Sequence, residues 1–215
     1  MSEQVINKGV IERTDLIKRG RYLEYFTIGY NSLEGLIALG AGILAGSIAL
    51  VGFGFDSLIE VTSGVVLLWR LHADVNEARR ERVEAISLRL VGVCFIALAL
   101  YLIHHSVESL WRGEAPGQSR IGIILAAVSL IVMPLLVRAK RRVARAINSG
   151  ALMADSKQTE LCTYLSAILL GGLLLNAVLG WWWADPVAAL IMVPIIAKEG
   201  IEALRGETCC DDACH

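Results

Sequence analysis

The chain has 215 residues, 55% of them hydrophobic, where a soluble domain has about 45–50%. A mean hydropathy of +0.59 points the same way, toward a membrane protein and away from an ordinary soluble domain. The formal net charge of −1 says little by itself, and where the charges sit says more.

Residues 1–21 form a polar arm of mixed charge that ends in Lys18, Arg19 and Arg21. It holds no short apolar core ahead of a cleavage site, so no secretory signal is expected. A first span is predicted over residues 22–44, close to the ~20 residues that a bilayer crossing needs. It carries Asn31 and Glu34. A tight turn at Ala45-Gly46-Ser47 leads into a second span ending near residue 71, followed by a charged loop over 72–84. Third and fourth spans are predicted over 85–109 and 120–137, joined by a short Gly/Pro-containing loop. The most basic segment, 138–145, precedes a fifth span over 155–179. Trp181, Trp182 and Trp183 make an aromatic anchor of the kind found at headgroup level. A sixth span over 185–204 leads to the tail, 205–215. Pro134 and Pro194 stand near span ends, where each would kink or terminate its helix.

The reading is thus an all-α, polytopic membrane protein. It has an N-terminal arm (1–21), a six-helix transmembrane domain (22–204) and a C-terminal tail (205–215). Of the 20 Lys and Arg residues, all but Arg112 and Arg120 fall on the side shared by the two termini. The positive-inside rule makes that side cytoplasmic, in a plasma (bacterial inner) membrane. Next to a span, the basic 138–145 segment reads as a topology determinant, and no nucleic-acid partner is expected.

Asp56 and Glu60 stand four residues apart in the second span and so share a helix face. An acid in lipid is costly and faces a protein interior or a wet cavity. Two at this spacing form half of a ligand shell for a divalent cation; otherwise one pairs with a neighbouring helix and the other sits at the interface. The fifth span opens Asp155-Ser-Lys-Gln-Thr-Glu-Leu-Cys162. Gln158 and Cys162, again four apart, could complete the site, and Asp155 pairs with Thr159 on the adjacent stripe. Cys162 is either a ligand or a small core residue. Carboxylates, an amide oxygen and a thiolate would accept zinc or cadmium before magnesium, which prefers oxygen alone.

The tail gathers Cys209, Cys210, Asp211, Asp212, Cys214 and His215 within seven residues and resembles a flexible metal-capturing tract; otherwise it is a solvated polar terminus. Thiols on the cytoplasmic side stay reduced, which leaves these free to bind metal. At the outer end of the third span, His104, His105 and Glu108 could form an exit site or handle protons, or be interfacial residues without a special role. His72, Asp74 and Glu77 would make a weak inner metal site or simply a solvated loop. No phosphate loop, HExxH or Gly-x-Ser-x-Gly occurs, and no enzyme is expected.

Taken together, these residues resemble the cation diffusion facilitator family of divalent-metal/proton antiporters. Phe55-Asp56-Ser-Leu-Ile-Glu60 matches that family's second-span Asp-x-x-x-Asp pair with Glu in the second place. Ala154-Asp155 and Asp185-Pro186 match motifs of its fifth and sixth spans. Tyr30-Asn31-Ser-Leu-Glu34 and Ala45-Gly46-Ser47 look like a short branch, similar in pattern to the TMEM-type zinc transporters. The family's fifth-span ligand positions fall here on Gln158 and Cys162, which brings Asn31 and Glu34 into consideration as ligands. The resemblance implies a transported divalent metal with protons as counter-ions, no tightly bound cofactor, and a homodimer as one option. It also leads to the expectation that the cytoplasmic domain that usually follows the sixth span is missing. The rival expectation is a membrane metal sensor or partner-binding protein that moves nothing and works through its tail.

Overall fold

The computed structural model describes residues 2–72, 77–113, 115–147 and 149–205, without the side chains of 2–14, 70–72, 77–85, 87–88 and 151. Among these residues the fold is six helices: α1 (Ser2–Ala45), α2 (Ile48–His72), α3 (Glu77–Arg112), α4 (Arg120–Ile147), α5 (Gly150–Leu179) and α6 (Ala184–Arg205). Five are long and apolar enough to cross a membrane. The exception, α6, has a second half charged by Lys198, Glu199 and Glu202.

Burial is inverted relative to a soluble bundle. Leu33, Leu36, Leu44, Leu100, Ile124, Ile131 and Val178 face outward, whereas Glu24, Asn31, Glu34, Asp56, Glu60, Lys140, Asp155 and Thr159 are buried. An apolar exterior, with polar groups clustered inside an otherwise apolar core, suits lipid as solvent. The chain is an integral, multi-pass membrane protein.

α1 packs on α2 and α4 on α5, and these four helices form one body; α3 and α6 pack chiefly on each other and flank it. The α1–α2 hairpin is tight for a local reason. Gly46 turns the chain at φ 65, and a Cβ at Gly54 would meet the backbone nitrogen of Leu39 at 2.9 Å. Only glycine suits both places. That close approach sets Asp56, two residues on, against the interior.

Several boundaries differ from the sequence expectation. The polar arm is continuous with the first span in a single helix, and the basic 138–145 segment continues α4 to Ile147. The connection to α5 is therefore short. It is closed by Ser149, an N-cap whose hydroxyl accepts from Leu152 N at 3.3 Å. Neither Pro134 nor Pro194 terminates its helix; each lies inside one and removes a donor from its ladder.

The N-terminal end of α2 is capped by another helix. Ser47 Oγ accepts from Leu50 N at 3.1 Å and donates to Asp185 Oδ1 at 2.5 Å. Asp185 Oδ2 accepts from Ile48 N at 2.8 Å, with Ala49 N at 3.5 Å. The first N–H groups of α2, which have no partner inside the helix, are thus met by α6.

Candidate metal centre

Asp56 and Glu60 lie one turn apart on the buried face of α2, 6% and 2% exposed. Opposite them, α5 presents Cys162 at 1% exposure. Its thiol is in electrostatic contact with Asp56, Glu60 and Glu34. Gln158, one turn earlier on α5, joins Asp56 and Glu60 in lining a small cavity of about 10 Å³, the space of roughly one water. Phe95 of α3 and Ile196 of α6 wall it, and Glu199 of α6 adds a third carboxylate. The two pairs spaced at four residues therefore meet across one interface.

On the other flank, α1 brings Asn31 and Glu34, both essentially fully buried. Ser57 donates to Glu34 Oε2 at 3.1 Å. Glu34 Oε1, Glu60 Oε2 and both side-chain polar atoms of Asn31 have no hydrogen-bond partner. Buried polar atoms are nearly always paired, because leaving one bare costs free energy comparable to a lost hydrogen bond. Three of these four atoms, the oxygens of Glu34, Glu60 and Asn31, are acceptors that a cation could complete. Among the described residues no three His, Cys, Asp or Glu side chains make a ready-formed metal cluster. The centre is a set of donors around a space, short of a closed shell.

Asp155 stands apart from this centre. It pairs with Lys140 Nζ, which also lies 3.2 and 3.4 Å from the two carboxylate oxygens of Glu24. Lys140 is wholly buried. Within the basic 138–145 segment it is the basic residue that turns fully inward, and no motif in the sequence marks Glu24 as its partner. Glu160, by contrast, meets Arg141 at 2.6 and 3.3 Å in a half-buried pair away from the site.

At the C-terminal end of α3, Glu108 is taken by Arg112 at 2.7 Å, with His104 and His105 at 4.0 and 3.9 Å beside an open groove. Cys209, Cys210, Asp211, Asp212, Cys214 and His215 lie outside the described residues, as do the side chains of His72, Asp74 and Glu77.

Comparison with known proteins places this arrangement. A cation efflux transmembrane domain matches residues 26–207. The chain is 27% identical to the magnetosome protein MamB of Magnetospira over 184 residues, 83% of this chain and 61% of that protein. It is 22% identical to the cation-efflux pump FieF of Shewanella oneidensis over 172 residues, 77% of this chain and 58% of that one. Against transmembrane protein 163 of Xenopus laevis it is 21% identical over 215 residues, 94% of this chain and 75% of that protein. The chain spans 52–61% of the length of the first curated relatives it matches.

Proposed function

The chain belongs to the cation efflux family, and from that premise we propose that it exports divalent transition-metal cations, zinc or cadmium, in exchange for protons. The observation that carries the reading is the donor set at this interior: Asp56, Glu60, Gln158 and Glu199 line the small cavity, with the Cys162 thiol beside the two α2 carboxylates and unpartnered oxygens on Glu34 and Asn31. Mixed hard and soft donors favour zinc and cadmium over magnesium. A protonated carboxylic acid is a poor ligand, so uptake of protons by Asp56 and Glu60 would release the ion, and loss of protons would readmit it. The substrate would enter from the cytoplasm, where both termini are placed by the positive-inside rule, in a plasma membrane. The cysteine-rich tail would capture ions there.

The test is flux of zinc and cadmium into liposomes holding the purified protein, under an imposed pH gradient, beside Asp56→Ala. Gradient-driven flux lost in the variant supports the reading. Full flux in Asp56→Ala, or none from well-folded wild-type protein with either ion, overturns it.

A further inference from the structure

Lys140 is a cation without access to solvent, set between α1, α5 and α2, and its hydrogen bonds have a fixed direction. An ammonium group only donates. Nζ donates to Asp155 Oδ2, to Glu24 Oε2 at 3.4 Å and to Thr159 Oγ1 at 3.3 Å. The Thr159 hydroxyl therefore acts as acceptor toward Lys140, and its single hydrogen is left for one acceptor. Two are in reach: Glu60 Oε1 at 2.7 Å and its own helix's Asp155 carbonyl at 3.2 Å. The ammonium lies on the lone-pair side of that hydroxyl, and the shorter contact is to Glu60. Glu60 Oε1 is thereby held, and Oε2 is left bare toward the interior.

We propose that Lys140 is a positioning residue for metal binding: through Thr159 it fixes the rotamer of Glu60 so that one carboxylate oxygen stays free for the ion. Glu24 and Asp155 hold the ammonium in place, so the chain of contacts joins α1, α4, α5 and α2. This inference rests on the reading of Asp56 and Glu60 as the substrate site. A partner that orients a ligand is worth roughly 10- to 100-fold in metal affinity.

The experiment is zinc titration of the purified full chain in detergent against a chromophoric chelator. Cys209, Cys210 and Cys214 are replaced by serine throughout, so that only the membrane centre reports. The Asp56→Ala variant defines the binding step that belongs to that centre. Thr159→Val keeps the pairing of Lys140 with Glu24 and Asp155 and removes the hydroxyl that links it to Glu60; it should weaken that step roughly 10- to 100-fold, and Thr159→Ser should restore it. Lys140→Met should give the same loss, and the double variant no further loss, because both act on one bond. If Lys140→Met does not fold, since it strands two buried carboxylates, Lys140→Met/Glu24→Gln/Asp155→Asn replaces it. Unchanged affinity in Thr159→Val overturns the proposal, as does a lysine loss that is absent or adds fully to the threonine loss. Wild-type protein with no binding step sensitive to Asp56→Ala overturns the site itself and the positioning role with it.

Discussion

Asp185 offers the sharpest stability test, because its contacts can be counted. In Asp185→Ala, the Ser47 hydroxyl loses its 2.5 Å acceptor and Ile48 N its 2.8 Å acceptor; the 3.5 Å contact to Ala49 N is too long to count. Each bond to a charged acceptor is worth about 1.5–3 kcal/mol, and the lower end of that range sets a floor for the two bonds. The loss is about 3 kcal/mol. Asp185→Asn keeps one acceptor oxygen and should cost about half of that. For a chain of this size 1 kcal/mol moves the melting temperature by about 2–4 °C, so Asp185→Ala should melt about 6–12 °C lower and Asp185→Asn about 3–6 °C lower. The assay is heat-induced loss of the monodisperse peak on size-exclusion chromatography in detergent. Ser47→Ala combined with Asp185→Ala should fall short of additive, since the two share a bond. Both Asp185 variants within 1–2 °C of wild type, on the same approximate scale, would refute the view that α6 caps α2.

Two further outcomes follow from the site and the hairpin. Cys162→Ser keeps a small buried polar group and replaces a soft donor by a hard one, so cadmium binding should fall more than zinc binding in competition titrations; equal losses would remove the thiol from the shell. Gly54→Ala places a methyl group 2.9 Å from Leu39 N, and the hairpin must open to admit it. An overpacking cost of about 1–3 kcal/mol is expected in the same melting assay, and an unchanged melting temperature would show that α1 and α2 have room to spare.

What could be read from the sequence was local. Spacing of four along one helix put Asp56 over Glu60 and Gln158 over Cys162, and apolar length located the spans. Lys140 was hidden by its company: among Arg138, Arg141, Arg142 and Arg145 it reads as one more positive charge. Its periodicity says otherwise. The buried face of α4 runs Gly122, Ala126, Ser129, Met133, Leu136, Lys140, Val143, a stripe at helical spacing that the arginines miss. The same stripe on α1 links Glu24, Thr27, Asn31, Glu34 and Ala38, so Glu24 is in register with the residues that the sequence did single out. Which stripe faces which could not be read, because the register between helices is set by contacts such as Gly54 on Leu39 and Asp185 on Ser47, far apart in the chain.

That pairing of stripes explains why a bilayer tolerates this interior. Glu24, Glu34, Asp56, Glu60 and Asp155 are buried in the four-helix body, and Lys140 is the buried lysine among them. All ionised, they would leave four negative charges uncompensated in a low-dielectric slab, a cost of several kcal/mol for each unpaired ion. Lys140 is shared by Glu24 and Asp155, a group that keeps one net negative charge, and Thr159 holds one oxygen of Glu60, so three of the four charges collect at Asp56, Glu34 and Glu60. Protons and a divalent cation compete for them there, because each proton bound to a carboxylate removes a ligand and a charge from the ion's shell. Under the proposed function, that competition is the coupling: the fixed cation sets how much negative charge remains, and proton and metal occupancy trade against each other for it.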